Sequence, residues 1–85
     1  MNTDKKIIIY TTDWCPYCHV AKDHLKKRGV EYIEKNIEDD PANREELIAK
    51  IGGKFRGVPV LDINGEIIQD SSKAAIYAAL DKSDI

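Results

Sequence analysis

The sequence predicts a single α/β domain in which three helices cover both faces of a mixed four-stranded sheet. Apolar, β-rich runs alternate with helical patterns along the 85 residues in the order β-α-β-α-β-β-α. A helix separates the first two strands, so we expect them to pair in parallel through a right-handed crossover. The dipeptide Asn64-Gly65 separates the last two strands, and Asn-Gly is the strongest short-range signal of a β-hairpin.

The first half of the chain provides the βαβ unit. Lys5–Tyr10 contains the apolar run IIIY, which is typical of a strand buried on both faces. The first helix is expected at about Pro16–Arg28, because proline suits the first helical turn and Gly29 suits the exit. Val30–Ile37 is rich in β-forming residues and predicts the second strand.

The second half of the chain adds a helix, a hairpin and a final helix. We expect the helix at about Pro41–Ile51, the hairpin strands at Val58–Ile63 and Glu66–Gln69, and the last helix at about Ser71–Asp81. The inward-facing residues of the three helices are then Cys18, Ala21 and Leu25; Leu47, Ile48 and Ile51; and Ala75, Ile76, Ala79 and Leu80.

Composition argues against several functional classes. The net charge of -2 provides no basic excess for nucleic acid or for an anionic membrane. The run IIIY is too short for the core of a signal peptide or for a membrane span. We therefore expect a cytoplasmic monomer with no nucleic-acid or membrane partner, in a compartment where structural disulfides do not persist.

The two cysteines, Cys15 and Cys18, form the motif CPYC between the first strand and the first helix. This placement is typical of a thiol redox motif. Only a thiolate attacks a disulfide, and a helix N-terminus stabilises a thiolate through its unpaired N–H groups and its dipole. We therefore predict that Cys15, at the exposed end of the helix, is the nucleophile. Cys18, one turn deeper, is the resolving thiol.

Other interpretations of the cysteine pair are weaker. A structural zinc site needs four ligands, and the further candidates His19 and His24 lie on the same short helix. A structural disulfide would close too small a loop to constrain the unfolded chain. His19 is either a group that tunes Cys15 or an exposed polar residue, and Trp14 is either a docking surface or a packing residue. We expect no metal ligand among these residues.

The stretch GVPV contains a second signal. Proline is normally excluded from central strands, yet Pro59 begins a strand that the pattern places inside the sheet. A cis Val58–Pro59 bond in a tight turn would resolve this conflict. It would also leave the backbone of Val58 free to pair with an extended thiol-containing peptide. The alternative is an ordinary trans proline at the entry to the strand.

Together these stretches resemble the glutaredoxins over nearly the whole chain, from Lys5 to Leu80. CPYC is the active-site sequence of the dithiol members, and GVPVLDINGEII and QDSS follow in that family's order and spacing. The resemblance implies a thioredoxin-like fold with strand order 2-1-3-4 and a cis Pro59. It also implies reduction of protein disulfides or glutathione mixed disulfides, with glutathione as a co-substrate and no bound cofactor.

The resemblance further implies a binding site for glutathione. Its last part would lie at the start of the final helix, where a peptide carboxylate meets free N–H groups. Serines at a helix start are equally well explained as ordinary caps. The implied contacts are Cys15, Tyr17, the backbone of Val58 before Pro59, Ser71 and Ser72.

Two departures from the family pattern leave the electron donor open. Thr12 stands where glutaredoxins often carry Lys or Arg, and Gln69 and Asp70 stand where many have Gly-Gly. Both changes remove positive charge, or add negative charge and bulk, where an anionic ligand would bind. Asp70, at the start of the last helix, can also accept hydrogen bonds from the N–H groups of Ser72 or Lys73, which such a ligand would use. Thioredoxin reductase, as for redoxins that serve ribonucleotide reductase, is therefore an alternative donor to glutathione. A carrier of an iron–sulfur cluster, held between two subunits by Cys15 and glutathione, is an alternative of another class.

Overall fold

The computed structural model describes residues 7–53 and 57–83. The predicted order of elements is confirmed, and so are the bounds of the first two helices. Lys5 and Lys6 of the predicted first strand lie outside the described residues. The elements are β1 (Ile7–Thr11), α1 (Pro16–Arg28), β2 (Ile33–Asn36), α2 (Pro41–Ile51), β3 (Val60–Ile63), β4 (Glu66–Ile68) and α3 (Lys73–Lys82).

The four strands form one mixed sheet in the order β2-β1-β3-β4. Strand β1 pairs in parallel with β2 and antiparallel with β3, and β3 pairs antiparallel with β4. Strand β1 lies inside the sheet, and the CPYC segment follows its carboxyl end directly. The sheet therefore determines where the two cysteines lie. The predicted parallel pair, the hairpin and the strand order are all confirmed.

Several elements are shorter than the sequence suggests. Strand β2 begins at Ile33 rather than at Val30, whose N–H still bonds to the carbonyl of Leu25 at the end of α1. Strand β3 begins after Pro59, which has no N–H to donate to a ladder. Helix α3 begins at Lys73 rather than Ser71, because Ser72 has extended backbone angles and serves as the N-cap.

Two apolar clusters lie on opposite faces of the sheet. Helices α1 and α3 cover one face and α2 covers the other, so the prediction of helices on both faces is confirmed. Helix α2 packs through Leu47 and Ile51, one turn apart, so Ile48 lies at its margin and is only half-buried. Of the three residues predicted to face inward, Leu47 is buried, and Ile48 and Ile51 are half-buried. Among the described residues, no helix is long and apolar enough to cross a membrane.

Three polar side chains form a hydrogen-bonded cluster on the α2 face of the sheet, beside the apolar cluster. We call Tyr10, Glu46 and Lys35 the tyrosine cluster. The Tyr10 hydroxyl donates to Glu46 Oε2, and Lys35 Nζ lies 2.8 Å from the same oxygen. Tyr10 is fully buried. Burial, and then the hydrogen bond to Glu46, raise the pKa of Tyr10 to about 12, although Lys50 acts in the opposite direction.

Candidate active site

Cys15 is the N-cap of α1. Its backbone is extended, Pro16 begins the helix, and the N–H of Cys18 donates to Cys15 Sγ at 3.1 Å. One of the helix's unpaired donors is therefore aimed at the sulfur, which is the contact that stabilises a thiolate at this position. The local sequence favours this arrangement. Pro16 suits the first helical position, where its missing N–H costs no hydrogen bond, and so Cys15 is placed at the N-cap.

Cys15 is buried, with 2% of its surface exposed, so the expectation of an exposed nucleophile was wrong. The thiol donates to the carbonyl oxygen of Val58 at 3.6 Å. The segment before β3 therefore lies directly against the sulfur, a contact that the linear sequence does not reveal.

Cys18 lies deeper, with 1% of its surface exposed. Burial, followed by a hydrogen bond with Cys15, raises the pKa of the Cys18 thiol to about 12. A hydrogen bond with the backbone of Thr12 and the charge of Lys22 act in the opposite direction. Both cysteines are free thiols. Cys18 is thus placed behind Cys15 but must lose a tightly held proton before it can attack.

The Val58–Pro59 bond is cis, which confirms the prediction and makes the trans alternative wrong. The turn borders a cleft of about 280 Å³ beside the first turn of α1. Tyr17 stands at its edge with 64% of its surface exposed. Of the contacts implied for glutathione, Tyr17, Val58 and Ser71 thus share one cleft with Pro59. Its lining consists of Tyr17, Gly57, Val58, Pro59, Gln69, Asp70 and Ser71.

Ser72 lies at the start of α3 and is not among the residues that line the cleft. Its hydroxyl accepts a hydrogen bond from the N–H of Ala75 at 3.4 Å, as an N-cap does. Its own N–H donates to Asp70 Oδ1 at 3.0 Å. A donor that the family resemblance assigns to a ligand carboxylate is therefore already bonded to a carboxylate of the chain.

The remaining residues singled out in the sequence lie around the site. Trp14 is 69% exposed, and its indole N–H donates to Glu38 at 3.1 Å, so the packing interpretation was wrong. His19 is an exposed helix residue, as expected of the simpler interpretation. Within residues 7–53 and 57–83, no group of three or more His, Cys, Asp or Glu side chains could hold a metal ion.

Sequence reasoning missed three residues beside the dithiol. We call Thr11, Lys22 and Glu34 the thiol-side cluster. The Thr11 hydroxyl and the Lys22 ammonium donate to the same oxygen, Glu34 Oε2, at 2.9 and 3.0 Å. Burial opposes ionisation of Glu34, but these two hydrogen bonds outweigh it and hold the pKa of Glu34 below its usual value. Only the spacing of four residues between Cys18 and Lys22 was visible in the sequence.

Comparison with known proteins shows the family to which the chain belongs. The sequence profile of the family described as Glutaredoxin matches residues 7–68. The chain belongs to the glutaredoxin family. One relative of this glutaredoxin, an uncharacterised glutaredoxin-like 8.6 kDa protein in the rubredoxin operon of Clostridium pasteurianum, is 38% identical over 76 residues. The match spans 89% of this chain and 99% of the relative.

Solved structures resemble this glutaredoxin along most of its length. The crystal structure of a thioredoxin-like protein matches this chain with a TM-score of 0.80 and 29% sequence identity. The match covers 88% of this chain and 100% of that one. NrdH-redoxin from Escherichia coli is 27% identical, with a TM-score of 0.75 over 86% of this chain and 92% of that one. Its structure is described as the basis for the thioredoxin-like activity profile of a glutaredoxin-like protein. The predicted thioredoxin-like fold is confirmed, and the family is one of thiol–disulfide oxidoreductases.

Proposed function

We propose that this glutaredoxin reduces disulfides through Cys15 as nucleophile and Cys18 as resolving thiol. The observation that carries the proposal is the 3.1 Å contact between the N–H of Cys18 and Cys15 Sγ at the start of α1. A hydrogen bond to a charged acceptor is about twice as strong as one between neutral groups. This contact is therefore available to the negative charge that Cys15 Sγ carries during exchange.

The reaction has two exchange steps. The Cys15 thiolate attacks one sulfur of the substrate disulfide, and the other sulfur leaves as a thiolate and takes up a proton. Cys18, after losing its own proton, attacks Cys15 Sγ and displaces the second substrate sulfur, which is protonated in turn. The substrate gains two electrons and two protons, and the enzyme is left with a Cys15–Cys18 disulfide.

The cleft beside Cys15 supports an extended substrate segment. In the resting dithiol, the Val58 carbonyl accepts a hydrogen bond from the Cys15 thiol. Ionisation of Cys15 removes that donor, so the Val58 carbonyl becomes available to a substrate N–H at the moment when the nucleophile forms. Protein disulfides and glutathione mixed disulfides both fit this requirement, and their reduction is the reaction expected in a reducing compartment such as the cytoplasm.

One observation favours a donor other than glutathione. Asp70 bonds to the N–H of Ser72 at 3.0 Å, so its carboxylate occupies a donor that a glutathione carboxylate would need. Thr12 supplies no positive charge where many glutaredoxins have Lys or Arg. The similarity to NrdH-redoxin, a glutaredoxin-like protein with a thioredoxin-like activity profile, points in the same direction. Thioredoxin reductase is therefore the electron source that we favour over glutathione.

The identity of the electron donor can be tested by reducing the oxidised protein with two systems. The first contains NADPH and thioredoxin reductase, and the second contains NADPH, glutathione and glutathione reductase. We expect the first system to be faster. Replacement of Asp70 by glycine should then raise kcat/KM for a glutathionylated peptide about tenfold, equal to about 1.4 kcal/mol. Asp70→Asn is the matched control, because it removes the charge but keeps an oxygen that accepts from Ser72.

An intermediate gain in the asparagine variant would separate charge repulsion from competition for the Ser72 N–H. Equal or lower efficiency in Asp70→Gly would mean that Asp70 does not obstruct glutathione. Failure of both reductase systems, with no reduction of any disulfide, would instead contradict the oxidoreductase function itself.

A further inference from the structure

Lys22 has an unusual environment for a lysine. Its side chain is only 17% exposed, and its ammonium lies 3.0 Å from Glu34 Oε2. Lysines are rarely this buried without a partner. Lys22 follows Cys18 by four residues in α1, so the two side chains leave the same face of the helix one turn apart.

The sheet beneath α1 fixes the position of the Lys22 ammonium. In the register of the sheet, Glu34 lies directly opposite Ile9, whose side chain belongs to the apolar cluster under α1 and α3. Glu34 therefore projects toward α1. Thr11, which is fully buried, donates to the same Glu34 oxygen at 2.9 Å and holds the carboxylate in place.

Cys18 is the neighbouring group whose ionisation the positive charge of Lys22 would assist. Its thiol is 1% exposed, and burial together with Cys15 raises its pKa to about 12. The groups that act on Cys18 are Cys15 from the helix cap, the backbone of Thr12 after β1, and Lys22 from α1, whose ammonium is hydrogen-bonded to Glu34 of β2. Of these, Lys22 is the cation.

We propose that Lys22 is a positioning residue for the second exchange step, in which its ammonium stabilises the negative charge on Cys18 Sγ. The proposal rests on the two-cysteine function above. In this step the Cys18 S–H bond loses its proton to water, and a bond forms between Cys18 Sγ and Cys15 Sγ. The bond between Cys15 and the substrate sulfur breaks, and that sulfur leaves with the electron pair. Lys22 stays protonated throughout.

Reaction with dithiobis(nitrobenzoate), an aromatic disulfide, separates the two steps. The first equivalent of coloured thiolate is released when Cys15 attacks, and the second when Cys18 displaces the aromatic group from Cys15. Lys22→Met should slow the second release about fivefold at neutral pH, a size expected for one charge across a partly exposed site. The pH profile of that phase should move up by about 0.7 of a pH unit. The first release should stay unchanged.

Two further variants make the test specific. Methionine and lysine have similar helix propensities, so the substitution leaves α1 intact, and Lys22→Arg should restore most of the second-phase rate. Lys27→Met is the matched control, since Lys27 lies on the same helix but is 70% exposed and paired with Asp23. It should behave as wild type.

A second release in Lys22→Met with the wild-type rate and pH profile would overturn the proposal. An equal slowing in Lys27→Met would also overturn it, because a general effect of helix charge would then explain the result. If the first release is absent from the wild-type protein, the two-cysteine function fails rather than the role of Lys22.

Discussion

Tyr10 and Thr11 are consecutive residues of β1, and their side chains lie on opposite faces of the sheet. Each hydroxyl donates to a glutamate that is also paired with a lysine. The tyrosine cluster and the thiol-side cluster therefore have the same chemical composition: a hydroxyl, a carboxylate and an ammonium. They differ in what surrounds them.

The tyrosine cluster lies under α2, where the buried ring of Tyr10 joins the apolar cluster of that face. The thiol-side cluster lies under α1, the helix that carries Cys18. The same set of groups is thus a packing element on one face and, in our proposal, a source of positive charge for a reactive thiol on the other. Variants of the two faces should separate stability from chemistry.

The largest expected effect is the loss of activity in Cys15→Ser without loss of the fold. Serine is a favoured N-cap, so its hydroxyl can accept the hydrogen bond from the N–H of Cys18 that Cys15 Sγ accepts in wild type. We expect disulfide reductase activity to fall by about three orders of magnitude or more, because the nucleophile is gone. Thermal unfolding should change by only a few degrees.

Cys18→Ser is the matched control for the nucleophile. It should complete the first exchange and then accumulate a mixed disulfide at Cys15, visible as an added substrate mass in intact-protein mass spectrometry. Accumulation on Cys18 in the Cys15→Ser variant would reverse the two roles. A collapse of the fold in Cys15→Ser would show that the sulfur itself stabilises the cap.

A smaller effect, confined to stability, is expected on the opposite face. Because the pKa of Tyr10 is raised to about 12, its neutral form stabilises the fold fully below pH 10. This contribution is lost as the pH rises through about 12, where wild type should lose about 2–3 kcal/mol. Tyr10→Phe cannot ionise, so its urea unfolding should lack this alkaline decline.

Tyr10→Phe should also unfold about 1 kcal/mol more easily at neutral pH, because the hydrogen bond to Glu46 is lost. Its rates of thiol exchange should match wild type. Tyr32→Phe, at a half-buried position packed against the cluster under α1 and α3, is the control and should keep the wild-type alkaline decline. An alkaline decline that persists in Tyr10→Phe would mean that other groups cause it.

The sequence predicted most of the scaffold, because its signals are local. The proline and glycine at the ends of α1 and the Asn64-Gly65 turn define elements without reference to the rest of the chain. The roles that we propose for Cys15 and Cys18 rest equally on a local feature, the strand-to-helix junction. The hydrogen bond from the Ser72 N–H to Asp70 was predicted as well, because an acid at the start of a helix can accept from the first N–H groups. The burial of Cys15 did not follow, because it depends on a second segment brought close in space.

The two clusters were invisible for a related reason. Glu34 reaches Lys22 only through the parallel register of β1 and β2, and Glu46 reaches Tyr10 only because α2 crosses the other face. Alternation along β1 predicts that Tyr10 and Thr11 face opposite ways. It does not predict which glutamate each will meet.

The smallest expected effect tests whether the tyrosine cluster contributes through charge. Hydrogen bonds from Lys35 and then Tyr10 hold the pKa of Glu46 below its usual value, although burial acts against them. Its stabilising contribution is therefore present above about pH 4.3, the unfolded value, and is lost as the pH falls through the lower folded value. Because the side chain is 35% exposed, water screens the pair, and we expect only about 0.5–1 kcal/mol.

Glu46→Gln should therefore unfold in less urea than wild type at pH 7, and the difference should vanish at low pH as wild-type Glu46 becomes protonated. Glu45→Gln removes the same charge from an exposed position on the same helix and is the matched control. Both variants should exchange thiols at the wild-type rate. A pH-independent difference for Glu46→Gln would assign its contribution to packing, and a slower second exchange step would mean that the two faces are coupled.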